Sequence, residues 1–228
     1  MRAMLLAAGR GERMRPLTDE CPKPLLRVGG RPLIEWHLQA LARAGFRDVV
    51  INHAHLGLRI EQALGDGARW GLRIRYSPEG EALETAGGIS RALPLLGESP
   101  FFVVAADVFC TFDFARAKTI AAQMQAAQLD AWCVLVPNPP HHEHGDFGID
   151  GGWLMCEAPR RHTFSGIGVY RAALFDGTDP DRKAPLAPLL RAAADARRAG
   201  AELFDGRWVD VGTPQRLADL DAQLQSAR

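Results

Sequence analysis

A glycine-containing segment near the N-terminus carries residues suited to binding phosphate. Gly9 and Gly11 follow a short apolar run, and Arg13 and Lys23 add positive charge to the same part of the chain. Glycines allow backbone N–H groups to turn towards phosphate oxygens at close range. Fixed cations then stabilise the charge of those oxygens. The segment therefore predicts a site for a phosphorylated ligand.

Two common phosphate-binding motifs do not fit this segment. A dinucleotide-binding fingerprint requires a third glycine three residues after the second, and Met14 stands there. A P-loop requires Gly-Lys-Ser/Thr after four intervening residues, and the sequence contains no such string. A tight turn with solvated basic residues remains as the alternative, but it explains neither the three cations, Arg13, Arg15 and Lys23, nor the two prolines around the loop.

Two distant aspartates suggest a metal site. Asp107 follows an all-apolar run at 101–106, and Asp210 lies before Gly-Thr-Pro near the end of the chain. An unpaired carboxylate is costly to bury, so each aspartate needs a cation or a donor. Mg²⁺ prefers oxygen ligands and often binds one or two carboxylates together with substrate phosphates. A helix N-cap or a surface ion pair remains the alternative for each residue.

The hydrophobic pattern indicates which elements position these residues. Short apolar runs alternate with amphipathic helical patterns, which is typical of crossover units. We therefore predict an α/β fold with a mostly parallel, Rossmann-like sheet and helices on both faces. Predicted strands are 4–7, 48–52, 72–76, 101–106, 131–136, 163–170 and 207–211, and predicted helices are 32–44, 56–64, 87–96, 114–128, 186–198 and 214–225. Ligands bind such sheets beyond the carboxyl ends of the strands.

The chain is expected to form a single domain over residues 1–228, with 137–162 as an inserted lobe on the substrate side. That segment is rich in Pro, Gly and His and has only short strand-like pieces. Its histidines His141, His142 and His144 lack the helical spacing that would organise a metal site. We interpret them as part of a solvated polar loop.

Composition excludes several classes of protein. The 27 basic and 27 acidic residues give a formal net charge of zero, whereas nucleic-acid and acidic-membrane binders carry a basic excess. No apolar run reaches the length of a membrane span. The apolar N-terminus is broken at 9–13, which excludes a signal peptide. These features predict a cytoplasmic protein with small-molecule partners, and they leave its oligomeric state open.

The N-terminal segment also resembles the signature of the sugar-1-phosphate nucleotidyltransferase family. That signature reads Leu-x-x-Gly-x-Gly-x-Arg-Met/Leu-x-Pro-x-Thr, followed by Pro-Lys-Pro. The matching residues are Leu6, Gly9, Gly11, Arg13, Met14, Pro16, Thr18, Pro22, Lys23 and Pro24. The resemblance extends over almost the whole chain and implies transfer of a nucleotidyl group from a nucleoside triphosphate to a sugar 1-phosphate.

The resemblance also implies a role for each candidate residue. Arg13 would meet the leaving pyrophosphate, Lys23 the α-phosphate, and Asp107 and Asp210 would hold Mg²⁺. Nucleotide contacts would come from Leu6, Ala8, Gly9, Gly11, Arg13, Lys23, Glu79 and Thr85, and sugar-phosphate contacts from Gly145, Glu157, Ser165 and Gly166. Many relatives carry Asn-Gly before the first metal ligand, whereas this chain has Ala105-Ala106.

The resemblance defines the substrates less closely than it defines the type of reaction. The strings Tyr-Ser-Pro-Glu-Gly-Glu, His-His-x-x-Gly-Asp-Phe and Thr-Phe-Ser-Gly-Ile are most similar to members that use UTP and N-acetylmuramic acid 1-phosphate in cell-wall recycling. A carboxylate at Glu79 could read either a pyrimidine or a guanine. Transfer to mannose 1-phosphate or choline phosphate from another triphosphate, and a non-catalytic sugar-nucleotide sensor, therefore remain as alternatives.

Overall fold

The computed structural model describes residues 1–226, and its elements follow the predicted alternation. The strands are β1 (Ala3–Leu6), β2 (Arg27–Val28), β3 (Arg31–Pro32), β4 (Asp48–His53), β5 (Arg73–Pro78), β6 (Phe101–Ala105), β7 (Val108–Cys110), β8 (Ala131–Val136), β9 (Gly148–Asp150), β10 (Trp153–Met155), β11 (Thr163–Tyr170), β12 (Ala199–Leu203) and β13 (Trp208–Asp210). The helices are α1 (Leu17–Glu20), α2 (Leu33–Arg43), α3 (Gly57–Leu64), α4 (Glu84–Leu96), α5 (Arg116–Ala126), α6 (Leu186–Asp195) and α7 (Pro214–Ser226).

A nine-stranded sheet runs through the molecule in the order β5-β4-β1-β6-β11-β8-β12-β10-β9. Pairing is parallel from β5 to β6, and it is antiparallel on both sides of β11 and of β10. Every strand except β10 and β11 therefore runs in one direction, which confirms the expected mostly parallel sheet. The carboxyl ends of β1, β4 and β6 meet at one edge, because Leu6 pairs with both Asn52 and Ala105.

Helices cover both faces of this sheet, as the sequence predicts. Alternate residues of β6 point to opposite faces, so Phe102 and Val104 pack in one core cluster while Phe101 and Val103 pack in the other. The first cluster includes residues of α2, α3 and α5, and the second includes residues of α4 and α6. Burial on both faces explains why β6 is apolar along its length.

The last part of the sheet differs from the prediction. The sequence predicts a helix to residue 198, before Gly200, whereas α6 ends at Asp195 and a strand, β12, occupies Ala199–Leu203 with its first three residues buried. Its sequence Ala-Gly-Ala-Glu-Leu has little β propensity, and it is a strand because it pairs with β8 in parallel over its whole length.

The segment 137–162 is integrated into the main sheet. It contributes β9 and β10, and Trp153 of β10 pairs with Gly200 of β12. Within residues 1–226, no helix combines the length and the apolar character that crossing a membrane requires.

Candidate active site

The residues after β1 line a small cavity at the carboxyl edge of the sheet. Its volume is about 210 Å³, and its wall includes Leu6, Ala7, Ala8, Gly9, Lys23, Pro24, Asn52, Ala82, Glu84, Thr85, Ala105 and Asp107. Most of the predicted nucleotide-binding residues therefore lie together. The strand register accounts for this grouping, because the ends of β1, β4 and β6 lie side by side.

Gly11 fixes the path of the loop rather than lining the cavity. It has a φ of 69°, which favours glycine. A Cβ at this position would lie 3.0 Å from Thr18 Cγ2 and 3.3 Å from Lys23 Cβ. The Thr18 hydroxyl donates a hydrogen bond of 2.9 Å to the Gly11 carbonyl. This close packing holds the stem of Lys23 against the loop, and Lys23 is only 7% exposed.

A short antiparallel ribbon brings the two distant aspartates together. Strand β13 pairs with β7, so that Asp210 lies opposite Val108. The Val211 N–H donates a hydrogen bond of 2.9 Å to the Asp107 carbonyl. Both aspartates line a second cavity of about 460 Å³, which shares Leu6, Thr85, Ala105 and Asp107 with the first and is called the larger cavity because it exceeds the first in volume. Residues 103 positions apart in sequence thus face the same space.

Each aspartate is paired with a cation through one carboxylate oxygen. Lys23 Nζ lies 2.7 Å from Asp107 Oδ2, and Arg216 Nη1 lies 2.6 Å from Asp210 Oδ2. Within residues 1–226, neither Oδ1 atom has a hydrogen bond. Two carboxylate oxygens with free lone pairs thus belong to one cavity, which is the donor chemistry that a hard divalent cation prefers.

These two carboxylates are not a complete metal site. Among the described residues, no group of three or more His, Cys, Asp or Glu side chains is arranged to hold a metal ion. A cation bound between Asp107 and Asp210 would need further oxygen ligands. Phosphate oxygens and water supply them in sites of this kind, so the residues fit a metal that binds together with a phosphorylated substrate.

Arg13 reaches the same cavity from the N-terminal loop. It lines the larger cavity together with Asp210. An ideal Cβ built on Gly212 would lie 3.0 Å from Asp210 Oδ1 and 3.2 Å from Arg13 Nη2. Gly212 therefore leaves room for the guanidinium to approach the carboxylate. Lys23, Arg13 and Arg216 place three positive charges beside two carboxylates, which favours an anionic ligand.

A β-bulge shapes the wall opposite the N-terminal loop. The pairing of β11 with β8 shifts between Phe164 and Ile167, which leaves Ser165 and Gly166 outside the regular ladder. The Ser165 hydroxyl donates a hydrogen bond of 2.6 Å to the Val134 carbonyl and accepts one of 3.1 Å from the Ile167 N–H. Bulges commonly re-aim residues beside active sites, and both bulged residues line the larger cavity.

Gly166 also accounts for the alanine at position 105. Gly166 has a φ of 76°, and a Cβ there would lie 2.9 Å from Ala105 Cβ. The bulge thus packs closely on the carboxyl end of β6. A larger polar side chain at 105 would have to share this space with the bulge.

The histidine loop is largely exposed, as the sequence suggests, and it also borders the larger cavity. His141 and His142 line the larger cavity. His141 Nε2 accepts a hydrogen bond of 2.8 Å from Arg216 Nη1, which links the loop to Asp210. His142 Nε2 lies 3.0 Å from Asp146 Oδ1, and Asp146 Oδ2 accepts a hydrogen bond of 2.8 Å from the Phe164 N–H. The loop is therefore bonded both to the aspartate ribbon and to the bulged strand.

A third cavity, similar in volume to the second, adjoins it on the side away from the aspartates. It has a volume of about 480 Å³ and shares Thr85, Phe164 and Leu186 with its neighbour. Its remaining wall contains Glu84, Asp146, Phe147, Pro185, Ala187 and Leu190. A mostly apolar wall with a few polar groups is typical of a pocket for a small organic ligand.

Besides Gly11, three predicted site residues lie outside these cavities. Glu79 is buried behind the first cavity, where burial raises the pKa of its carboxyl group. Gly145 is packed against the backbone of Arg161 and His162 and leads into Asp146. Glu157 is exposed and belongs to the wall of none of the three cavities.

Asn52 connects Glu79 to the first cavity, although the sequence pattern does not identify it as a site residue. The Ala7 N–H donates a hydrogen bond of 2.9 Å to Asn52 Oδ1, and Asn52 Nδ2 donates one of 2.5 Å to Glu79 Oε1. The second Glu79 oxygen accepts a hydrogen bond of 2.8 Å from the Leu83 N–H. The only sequence signal is a polar residue at the end of the apolar run 49–51, which by itself resembles a strand end.

Comparison with known proteins gives matches along the whole chain. The family model described as nucleotidyl transferase matches residues 2–227. The N-acetylmuramate alpha-1-phosphate uridylyltransferase of Neisseria meningitidis serogroup B is 49% identical over 97% of both chains. The protein of the same name from Caulobacter vibrioides is 36% identical over 99% of this chain and 97% of its own.

The fold is also similar to that of a solved structure. A Bacillus anthracis protein assigned as a glucose-1-phosphate thymidylyltransferase superposes with a TM-score of 0.84 over 99% of this chain and 95% of its own. At 20% sequence identity, this similarity supports the architecture alone.

Proposed function

Because the chain belongs to the nucleotidyl transferase family, we propose that it is an enzyme that joins UTP to N-acetylmuramic acid 1-phosphate and releases pyrophosphate. The observation that carries this proposal is the pair of adjoining cavities that meet at Asp107, one lined by Gly9 and Lys23 and the other by Arg13 and Asp210. The choice of UTP and of the sugar is supported by the two relatives that bear this activity in their names.

The reaction requires positioning and charge neutralisation more than proton transfer. A sugar 1-phosphate is already anionic near neutral pH, so its phosphate oxygen can attack the α-phosphorus of UTP without a general base. The new P–O bond forms as the bond to the bridging oxygen of the β-phosphate breaks, and pyrophosphate leaves with that electron pair. Catalysis of such in-line transfers is almost entirely a matter of geometry and electrostatics.

Lys23 and Arg13 have separate roles in this scheme. Lys23 lies beside the smaller cavity and stabilises the charge that grows on the α-phosphate during attack. Arg13 faces the larger cavity and stabilises the departing pyrophosphate. Lys23 is held by packing and by Asp107 before substrate binds, so this side chain needs little reorganisation during the reaction.

Asp107 and Asp210 would hold Mg²⁺ through their Oδ1 atoms, which have no hydrogen bonds among the described residues. When bound, this ion supplies charge neutralisation to the phosphates of both substrates. The Oδ2 atoms stay with Lys23 and Arg216, so these two side chains fix the orientation of the carboxylates.

The nucleotide is proposed to bind in the smaller cavity. The backbone of Ala8 and Gly9 faces its phosphates, and the turn at Thr85 faces the base and ribose. Glu79 then acts through Asn52 and Leu83 rather than by touching the base, because both of its oxygens are bonded inside the protein. This arrangement braces the loop 80–83 against the end of β1.

The acceptor is proposed to bind in the two larger cavities. Its phosphate lies near the aspartates, and the sugar extends past the bulge at Ser165 and Gly166 towards the apolar wall at Phe147 and Phe164. Gly145 contributes by placing Asp146, whose carboxylate holds both His142 and the Phe164 N–H. Glu157 is left as a candidate that would need a loop movement to reach the sugar.

A matrix of triphosphates against sugar 1-phosphates tests this function. Pyrophosphate release should require a divalent cation and should be fastest with UTP and N-acetylmuramic acid 1-phosphate. Preference for GTP with mannose 1-phosphate would identify a guanylyltransferase instead. Tight binding of UDP-sugars without any turnover would identify a sensor.

A further inference from the structure

Three arginines meet at the edge of the sheet opposite the catalytic cavities. Arg171 follows the last residue of β11, and Arg197 and Arg198 precede β12. The catalytic cavity uses the other end of β11, from Thr163 to Gly166. Together with Ala127 and Gln128, these arginines line a pocket of about 430 Å³, which we call the arginine pocket.

Two helix ends place side chains on this pocket. Gln128 follows α5 and Arg197 follows α6, and they have φ values of 55° and 56°. This left-handed position after a helix is usually taken by glycine. The next residues close each helix end, through bonds of 2.8 Å from Leu129 N–H to Met124 O and of 2.7 Å from Arg198 N–H to Ala193 O. Gln128 and Arg197, which carry side chains that are uncommon in the left-handed conformation, therefore line the pocket.

A buried carboxylate lies behind the arginines and neutralises only part of their charge. Asp130 is 3% exposed, and its Oδ2 lies 2.5 Å from Arg198 Nη2. Its Oδ1 has no hydrogen-bond partner among the described residues and lies 3.9 Å from Arg171 Nη1. Arg197 forms no ion pair within residues 1–226 and lies over the Trp153 ring at 5.6 Å.

The balance of charge remains positive after the neighbouring groups are included. Each helix C-terminus contributes roughly half a negative charge, so that with Asp130 the pocket keeps a net charge of about +1. Arg198 is committed to Asp130, whereas the guanidinium groups of Arg171 and Arg197 can turn towards the pocket. Guanidinium groups bind phosphate oxygens in pairs of parallel hydrogen bonds.

We propose that the arginine pocket is a second phosphate-binding site, separate from the catalytic cavity, for a phosphorylated small molecule. Arg171 and Arg197 bind the phosphate group, Gln128 supplies an amide donor, and Arg198 with Asp130 forms the rigid floor. The pocket volume is larger than one phosphate group requires, so pyrophosphate and nucleoside monophosphates are the expected ligands. The inference does not depend on the reaction proposed for the other edge of the sheet.

Binding of pyrophosphate in EDTA, measured by titration calorimetry, tests the proposal. The variant R13A/K23A removes two catalytic cations, and it should retain a pyrophosphate site with the affinity of one wild-type site. The variant R171Q/R197Q should bind pyrophosphate at that site at least about tenfold more weakly, because two charge-assisted contacts are lost. The variant R73Q changes an exposed arginine elsewhere and serves as the matched control.

Hydrogen exchange locates the site independently of affinity. Pyrophosphate should slow exchange at 127–131 and 196–199 in wild type and in R13A/K23A, but not in R171Q/R197Q. The single variant R197Q, which keeps both contacts to Asp130, provides the same comparison if the double variant unfolds. Titrations with inorganic phosphate and UMP distinguish the ligands. Loss of all binding in R13A/K23A, or unchanged binding in R197Q and R171Q/R197Q, would overturn the proposal.

Discussion

Lys23 Nζ lies 2.7 Å from Asp107 Oδ2, which joins the N-terminal loop to the carboxyl end of β6. The ammonium is almost fully buried while the carboxylate is partly open to the cavity. Lys23 is thus held at the cavity by a partner that also has a free oxygen. An incoming phosphate can contact Lys23 without first breaking this ion pair.

Lys23→Ala should lower kcat by roughly 10²- to 10³-fold, a typical loss for one group that stabilises transition-state charge. The fold should be retained, because the Asp107 side chain is partly exposed and remains hydrated without its partner. Initial rates of pyrophosphate release, with thermal melting as a check on folding, measure both effects. Lys183→Ala changes an exposed lysine and is the control. A near-normal kcat for Lys23→Ala would remove Lys23 from the catalytic residues.

Asp107→Asn and Asp210→Asn should each weaken binding of Mn²⁺, used as a spectroscopic substitute for Mg²⁺, in the presence of pyrophosphate. The double variant should lose little more activity than the worse single variant, since residues that act as a unit are non-additive. Electron paramagnetic resonance of free Mn²⁺ measures binding apart from turnover. Fully additive losses would contradict a shared ion.

Asn52→Ala should raise KM for UTP roughly tenfold and change kcat much less, because it leaves the Ala7 N–H and Glu79 without their buried partner. Glu79→Gln keeps an acceptor and should have a milder effect. Steady-state kinetics with UTP varied and the sugar phosphate saturating separates the two constants. A fall in kcat at unchanged KM would show that Asn52 acts on the chemical step instead.

His37 should make the fold sensitive to mild acid. Burial lowers the pKa of His37 to about 4, although its contact with the Val108 carbonyl and the charge of Asp107 oppose this shift. Between that value and the ordinary value of 6.5, the unfolded chain binds the extra proton, so stability falls as pH falls. His37 should therefore lower the free energy of unfolding by about 2 kcal/mol at pH 5 relative to pH 8.

His37→Gln removes the titrating group and keeps a donor for the Val108 carbonyl. Urea unfolding at pH 8 and pH 5 should therefore show a smaller loss of stability in this variant than in wild type. Equal losses in the two proteins would show that other groups cause the acid sensitivity.

The sequence predicts the fold where the elements are regular. Strands β6 and β8 are apolar along their length, and the alternation with amphipathic helices indicates crossover connections. Strand β12 could not be predicted, because its Ala-Gly-Ala start is a strand only through pairing with β8. Of the two strands in the short ribbon, the sequence predicts β13 but not β7.

The residues of the candidate site likewise divide into those that the sequence indicates and those that only the structure shows. The glycine loop, Lys23 and the two aspartates follow from residue type and spacing, and the structure groups them around adjoining cavities. Asn52 and Arg216 could not be found this way, because their importance lies in contacts across 45 residues to Ala7 and across 75 residues to His141. Glu79 was identified as a site residue, but its orientation away from the cavity depends on the same buried contacts.

The most direct test of the account compares N-acetylmuramic acid 1-phosphate with N-acetylglucosamine 1-phosphate, with UTP as the donor. The two sugars differ by a lactyl group, whose carboxylate needs a hydrogen-bond donor in the proposed acceptor site. A donor left unpaired by the smaller sugar is costly, so kcat/KM should favour the muramic acid substrate by roughly 10²-fold or more. Mass spectrometry should identify its UDP-linked product. Equal kcat/KM for the two sugars, or no product from UTP with either, would contradict the proposed function.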